Sequence, residues 1–331
     1  MKQAEIDKVF TAWDHPDTPG GAVAVIENGE VTYRKCFGLA RLDTARPFTP
    51  STKTRIASIS KQFTTTCILL LREKGLLRLG DKVRDHVPEL AIAGDTMTIR
   101  HLCQNTSGLR DQLHLAILSG ASYDEGFTQS LTESLIKDQR SLNFQPGDQY
   151  RYSNANFVVL SWIIERLTQK PLGDVFREWI FEPLGMNRSE LVETATVTPE
   201  GAAIGYRGDG QAGLEPSPQN CPLSGDGGIY STLDDMIRWE KNFDHNIIGS
   251  DALLTGLTET TPLNHGTANF YALGLMVFDF DGERCEGHAG GLDGFKAFRM
   301  CFPDRRLSII TLSNFLKLLH IIPFLMHNMI N

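Results

Sequence analysis

Residues 54–71 read TRIASISKQFTTTCILLL, and this is the most informative stretch of the chain. It places Ser58 three residues before Lys61, at the start of an apolar run that predicts a buried helix. Because residues i and i+3 share one face of a helix, the serine hydroxyl and the lysine amine can meet there. A serine beside a potential base is a candidate nucleophile, and the first turn of a buried helix would hold it rigidly.

The same spacing recurs at Ser134 and Lys137, in a polar segment that contains Glu and Gln. A chain of this length and composition contains such short matches by chance. The second pair is therefore predicted to lie on an ordinary exposed helix face. Sequence context, rather than spacing, singles out Ser58.

The composition excludes some classes of partner. The chain has 331 residues, of which 41% are hydrophobic and 22% charged, as in ordinary soluble proteins. A net charge of −8 argues against nucleic acid or an anionic membrane surface as a partner. The six cysteines include no C-x-x-C pair and indicate neither a zinc site nor a redox pair.

Both ends of the chain carry signals about location. The first seven residues are charged where a signal peptide needs an apolar stretch, which favours the cytoplasm, or the periplasm if a leader has been removed. They begin an amphipathic helix with these residues on its apolar face: Ile6, Val9, Phe10 and Trp13. The apolar stretch 318–329 is too short to span a bilayer and predicts a terminal helix, or helix pair, packed on the core.

Strand patterns lie near both termini, and tight turns separate them. The turn signals are Asn28-Gly29, Asp281-Gly282 and Pro303-Asp304. The runs that flank them are 21–26 with 31–37, 272–280 with 283–287, and 295–302 with 307–312. Tight turns join antiparallel strands, so we expect an antiparallel sheet of about five strands built from both termini.

Helical patterns fill the middle of the chain, so the simplest architecture is α+β. The sheet is flanked by helices, and a mostly helical lobe is inserted between its strands. We expect a single domain over residues 1–331, with a sheet lobe of about 1–57 and 262–331 and a helical lobe of about 58–261. The junction of two lobes is a common place for a ligand cleft.

Two further segments offer polar groups for catalysis. Tyr152-Ser153-Asn154 precedes a predicted helix at 157–167. A nearby lysine ammonium would lower the pKa of Tyr152, because opposite charge favours the phenolate. Asn154 offers a donor and an acceptor, although the tripeptide also fits a helix cap with a packed tyrosine.

The second segment is Gly287-His288-Ala289-Gly290-Gly291, placed just after a predicted strand. Its small residues would let the strand edge lie close to a bound substrate. The match itself is expected by chance, and a single histidine is more often structural than catalytic.

Together the three motifs resemble the serine β-lactamase and penicillin-binding-protein superfamily. Ser58-x-x-Lys61, Tyr152-x-Asn154 and His288-x-Gly290 occur in the order and approximate positions of that superfamily. The similarity is to class C-type β-lactamases, D-alanyl-D-alanine carboxypeptidases and family esterases, and it covers nearly the whole chain. The segments most similar to the catalytic domain of bacterial D-aminopeptidases are 56–63, 105–111 and 236–240.

The resemblance implies a role for each residue. Ser58 would be the acylated nucleophile, Lys61 would assist its deprotonation, and Tyr152 would act as general base and then as acid. The N–H groups of Ser58 and Gly291 would form the oxyanion hole. The remaining substrate-binding positions are Asn154, His288 and Gly290. This chemistry needs no metal or organic cofactor.

Departures from the pattern leave the substrate open. His288 stands where many lactamases have lysine, and Asn105 replaces a common histidine; both fit the D-aminopeptidases. Those enzymes carry extra C-terminal barrel domains, whereas this chain stops soon after Asn314. We expect a serine hydrolase acting on a small amide or ester, most simply a short peptide containing a D-residue. The alternatives are a β-lactamase, an esterase, or a non-catalytic binding or assembly module on the same fold.

Overall fold

The computed structural model describes residues 3–11, 14–122, 126–194, 197–208, 213–218 and 221–315. The predicted terminal helix at 318–329 lies outside the described residues, as does Trp13 of the predicted N-terminal helix. Among the described residues, no helix combines the length and apolarity needed to cross a bilayer. The cytoplasmic location and the lobe boundaries stay predictions.

Strands occur near both ends of the chain and in short pieces between them. They are β1 Gly21–Glu27, β2 Glu30–Phe37, β3 Leu39–Arg41, β4 Arg46–Pro47, β5 Thr54–Arg55, β6 Glu190–Leu191, β7 Tyr206–Arg207, β8 Glu215–Pro216, β9 Ile229–Ser231, β10 Met276–Phe280, β11 Glu283–Leu292, β12 Phe295–Phe302 and β13 Leu307–Ser313. Six of them form one antiparallel sheet in the order β10-β11-β12-β13-β1-β2. The predicted α+β fold with a sheet built from both ends is confirmed, with six strands rather than about five.

The helices lie mainly between β5 and β10. They are α1 Gln3–Phe10, α2 Ser60–Glu73, α3 Val83–His86, α4 Ile99–Cys103, α5 Gln112–Leu118, α6 Gln129–Lys137, α7 Asn154–Thr168, α8 Leu172–Phe176, α9 Glu182–Leu184, α10 Leu233–His245 and α11 Asp251–Leu257. Short 3₁₀ turns cover Ala57–Ile59, Ala91–Ala93 and Pro303–Arg305, and a π-helical turn covers Arg177–Phe181.

The residue types at the turns explain where the hairpins of the sheet reverse direction. Asn28 (φ 53°) and Gly29 (φ 82°) both have positive φ, as the tight turn between β1 and β2 requires. Asp281 and Gly282 repeat this geometry between β10 and β11. Two predicted boundaries were wrong: β10 begins only at Met276 instead of residue 272, and β11 continues to Leu292 instead of ending at Gly287.

The central strands β1 and β13 are buried on both faces of the sheet. Ala22 and Ala24 of β1 face the large core shared with the helices. Val23 and Val25 face a second cluster that includes Ile6 and other residues near α1. Successive residues of a strand point to opposite faces, so β1 contributes to both clusters and is buried along almost its whole length.

A buried ion pair joins the helices to the sheet. Arg299 of β12 donates from Nε and Nη2 to the carboxylate of Glu240 in α10, at 2.6 and 2.9 Å. Ser308 of β13 donates to the same carboxylate at 2.7 Å. Arg299 is 1% exposed and Glu240 3%, so losing one partner would leave the other charge buried and uncompensated.

We predict that Glu240→Ala lowers the free energy of unfolding by about 3–5 kcal/mol, because Arg299 would lose its buried counter-charge. Urea denaturation of the two proteins measures the difference. The control is Glu259→Ala, which removes an exposed partner of Arg100 and should change stability little. Equal effects from both substitutions would contradict a special role for the buried pair.

Candidate active site

Ser58 lies in a strained turn immediately before α2. The residue before it, Ala57, has φ of 47°, a conformation that costs an alanine about 1–2 kcal/mol. The sequence predicted Ser58 on the first helical turn. Instead it occupies the 3₁₀ turn that leads into α2, and Lys61 is the second residue of the helix. Ser58 is partly exposed, whereas Lys61 has no exposed surface.

The amine of Lys61 contacts three oxygen atoms. Its Nζ lies 3.2 Å from Ser58 Oγ, 2.8 Å from Asn154 Oδ1 and 2.5 Å from the carbonyl oxygen of Asp226. The carbonyl oxygens of Asn154 and Asp226 can only accept hydrogen bonds. A neutral Lys61 would donate to these two and direct its lone pair at Ser58, whose hydroxyl alone can donate a proton to it.

Tyr152 completes the group around Ser58. Its hydroxyl lies 2.8 Å from Ser58 Oγ, and the Lys61 Nζ lies 5.0 Å from the centre of its ring. The structure therefore brings together four residues that the sequence singled out from separate motifs: Ser58, Lys61, Tyr152 and Asn154.

Burial changes the acidity of both titratable partners of Ser58. It lowers the pKa of Lys61 to about 8, and the carboxylates of Asp226 and Asp111 partly offset this effect. Burial also raises the pKa of Tyr152 well above its usual value. The expectation that the lysine would lower the pKa of Tyr152 was wrong, because the loss of solvent outweighs any help from the ammonium.

Two polar residues hold the Tyr152 segment in place. The carbonyl of Asn105 accepts from the Arg151 N–H at 2.9 Å, and its side-chain Oδ1 accepts from the Ser153 N–H at 3.0 Å. Asp111 Oδ2 accepts from both the N–H and the Nδ2 of Asn154, at 2.6 and 2.9 Å. The amide of Asn154 is thereby oriented with its oxygen towards Lys61.

Sequence reasoning missed the role of Asp111. Its Oδ1 accepts from the first N–H groups of α5, at Leu113 and His114, so it is an N-cap that its position before an apolar run could have revealed. No local signal indicated that its second oxygen reaches Asn154, which lies 43 residues later.

His288 is buried beside the cluster around Ser58, and its imidazole ring is neutral. Its Nδ1 is 2.6 Å from the carbonyl of Ala289, which can only accept, so the proton sits on Nδ1. Its Nε2 then accepts from the Tyr271 hydroxyl at 2.9 Å. Burial, together with the charge of Lys61, lowers the pKa of His288 to about 3. The residue packs beside Tyr152, with ring centres 5.9 Å apart.

The glycines of β11 allow the strand to pack against the Ser58 turn. A Cβ on Gly290 would lie 2.2 Å from the carbonyl oxygen of Ile56, so only glycine fits there. Its neighbour Gly291 borders the same cleft as Ser58. The predicted close approach of this strand is therefore directed at the backbone that carries Ser58.

Ser58 opens into a cleft of about 240 Å³. The cleft is lined by Ala57, Ser58, Asp111, Leu113, His114, Tyr152, Asn154, Leu223, Asp226, Gly227, Gly291 and Leu292. Two carboxylates belong to this lining, and no lysine or arginine does. Lys61, His288 and Gly290 lie behind the wall of the cleft.

A larger cavity of about 920 Å³ lies elsewhere, beside α6 and α7, and it includes Lys137. Ser134 Oγ donates to the carbonyl of Ser130, and Lys137 pairs with Glu133. The second S-x-x-K match is thus an ordinary helix face, as predicted. The described residues contain no group of His, Cys, Asp or Glu side chains arranged to hold a metal ion.

Comparisons with known proteins agree with this geometry. The β-lactamase family model matches residues 6–319. The D-aminopeptidase of Brucella anthropi is 36% identical over 308 residues, which cover 93% of this chain and 58% of that protein. The chain therefore spans little more than half the length of this relative.

Solved structures show the same fold. The octameric penicillin-binding protein homologue from Pyrococcus abyssi superposes with a TM-score of 0.78 at 26% identity, covering 94% of this chain and 72% of that one. A D-amino acid amidase from Ochrobactrum anthropi SV3, complexed with L-phenylalanine, gives a TM-score of 0.76 at 24% identity over 95% and 90% of the two chains. The predicted resemblance is confirmed.

We predict that Gly290→Ala displaces the Ser58 turn, because the new methyl group would overlap the Ile56 carbonyl. Stability should fall by about 1–3 kcal/mol in urea denaturation, as for other overpacked sites. Labelling of Ser58 by a fluorophosphonate should slow at least about tenfold, since small misplacements are costly at reacting atoms.

Gly80→Ala is the matched control, because a Cβ there meets nothing within 4 Å. It should leave labelling unchanged. Normal labelling of the Gly290→Ala protein would show that β11 does not position Ser58.

Proposed function

The chain belongs to the β-lactamase family, and from this premise we propose that it is a serine hydrolase that forms an acyl-enzyme on Ser58 and cleaves amides or short peptides of D-amino acids. The observation that carries the proposal is the contact of Ser58 Oγ with both Lys61 Nζ and the Tyr152 hydroxyl. The sequence similarity to the D-aminopeptidase supports the substrate class.

The hydrogen bonds suggest how acylation begins. In its neutral form, Lys61 takes the Ser58 proton while Asn154 and Asp226 hold its other two N–H groups. The Ser58 oxygen attacks the substrate carbonyl, and the N–H groups of Ser58 and Gly291 receive the negative charge that develops on the carbonyl oxygen. The substrate C–N bond then breaks, leaving an ester on Ser58.

Tyr152 suits the role of proton donor in this sequence. Its raised pKa keeps the hydroxyl protonated, so we assign the base to Lys61 rather than to Tyr152. Tyr152 protonates the leaving nitrogen and recovers a proton from Lys61. In deacylation, water loses a proton to the Lys61–Tyr152 pair and attacks the ester. The pair then returns a proton to the Ser58 oxygen as the acid product leaves.

The charge of the cleft favours one substrate class over its alternatives. Asp111 and Asp226 place carboxylates at the wall, and no lysine or arginine belongs to the lining. Penicillins and acyl-D-Ala-D-Ala peptides carry a carboxylate, which such a wall repels, whereas a free α-ammonium is attracted. The neutral His288, at the position where many lactamases have lysine, adds no positive charge.

We predict that D-Ala-p-nitroanilide is hydrolysed faster than acyl-D-Ala-D-Ala, nitrocefin or p-nitrophenyl acetate, because it alone combines an amide with a free ammonium. N-acetyl-D-Ala-p-nitroanilide is the matched control and should react poorly. Preference for nitrocefin would favour a β-lactamase, and preference for the acetate an esterase. A chain whose Ser58 is never acylated would be a binding module.

We also predict that acylation of Ser58 rises with pH and levels off above about 8, the pKa of Lys61. The base must be neutral to accept a proton, so the rate should fall about tenfold for each pH unit below that value. Lys61→Ala should lose about 100-fold or more at every pH. Lys137→Ala, from the second S-x-x-K match, should behave as wild type. A flat profile would exclude Lys61 as the base.

A further inference from the structure

Asp226 contacts the catalytic lysine but belongs to none of the three motifs. It lies in the turn that precedes β9, and its main-chain carbonyl accepts from Lys61 Nζ at 2.5 Å. Its carboxyl group is buried and held in place by the Ser224 N–H at 2.9 Å and by Gln112 Nε2 at 3.5 Å. The main-chain carbonyl and the side-chain carboxylate of Asp226 are thus both held in place by hydrogen bonds.

Four titratable groups surround the amine of Lys61. Asp226 faces it from the turn before β9, Asp111 from the N-cap of α5, Tyr152 from the segment before α7, and His288 from β11. The histidine and the tyrosine are neutral around pH 7, for the reasons given above. The two carboxylates therefore supply the charge that Lys61 experiences, although neither lies within ion-pair distance of its amine. Burial raises the pKa of the Asp226 carboxyl, and the Lys61 ammonium and the Ser224 N–H act against that shift.

The two carboxylates are not equivalent. Asp111 accepts four hydrogen bonds, two from the start of α5 and two from Asn154, so replacing it would disturb the Tyr152 segment. The Asp226 carboxylate accepts one strong and one long hydrogen bond. Replacing the Asp226 side chain can therefore remove its effect on the charge of Lys61 and leave the main-chain carbonyl of residue 226 in place.

We propose that Asp226 sets the pH range in which Ser58 is activated, its carbonyl holding the Lys61 amine and its buried carboxylate stabilising the ammonium form. This inference rests on the proposed function, in which neutral Lys61 is the base. In the activation of Ser58, Asp226 is a positioning residue, since it acts on the serine hydroxyl through Lys61.

The physical reason is a balance between two opposing effects. Burial disfavours the ammonium and, taken alone, would lower the pKa of Lys61 further than is found. A nearby carboxylate in a medium of low dielectric constant offsets part of this penalty, and Asp226 acts on Lys61 in this direction. Asp226 would thereby keep Lys61 protonated under acidic conditions and neutral under mildly alkaline ones.

The test measures fluorophosphonate labelling of Ser58 from about pH 5.5 to about 9.5 in wild type and in Asp226→Asn, with mass spectrometry to locate the adduct. Fluoride needs no proton donor to leave, so the rate reports on Lys61 and not on Tyr152. We expect the midpoint of the pH–rate profile to lie about one pH unit lower in Asp226→Asn than in wild type, because the Lys61 ammonium loses a stabilising charge. Asp226→Ala should shift in the same direction if the asparagine variant does not fold.

The control is Glu193→Gln. Glu193 accepts from Ser224 Oγ at 2.7 Å and so contacts the same turn, but it is not among the groups that shift the pKa of Lys61. Its midpoint should equal that of wild type. An unshifted or raised midpoint in both Asp226 variants, or a rate lowered equally at every pH, would overturn the role of Asp226. Absence of any adduct on wild-type Ser58 would instead overturn the proposed function.

Discussion

The burial of the Lys61 amine is the constraint on which the rest of the site depends. A lysine with no exposed surface must find partners for its N–H groups inside the protein, because an unpaired buried charge is costly. Two of its oxygen partners come from distant parts of the chain, the start of α7 and the turn before β9, and the third is Ser58 in the turn before α2. Satisfying one amine therefore fixes the relative positions of three segments, and Ser58 lies where they meet.

The same requirement recurs further from Ser58. Asp111 satisfies N–H groups of both α5 and Asn154, and Glu240 satisfies groups on β12 and β13. Each buried carboxylate joins elements that are remote in sequence. Groups held this rigidly can stabilise charge during a reaction without rearranging, which is the main source of catalytic power in many enzymes. The strain at Ala57 and the burial of Lys61 show that stability is given up for this order.

Local chemistry explains which predictions succeeded. Asn28-Gly29 and Asp281-Gly282 adopt the positive φ angles that these residue types tolerate, so the hairpins were predictable from short segments. The meeting of Ser58 with Lys61 followed from a spacing of three residues. The extent of β11 was not predictable, because glycines 287, 290 and 291 resemble a strand end and become strand only through pairing with β12. Likewise, the acidity of Tyr152 depends on burial by residues far away in the chain.

The α+β architecture and the family could be read from the sequence, which also singled out Ser58, Lys61, Tyr152 and Asn154 as neighbours, since each of these inferences rests on a local pattern or on motif order. The acidity of Lys61 and Tyr152 follows only from the tertiary structure, because it depends on their burial. Asp226 reaches Lys61 across 165 residues, and Asp111 reaches Asn154 across 43. The charge on a buried amine depends on the sum of such long-range contacts and on the exclusion of water. Neither can be predicted from any short stretch of the chain.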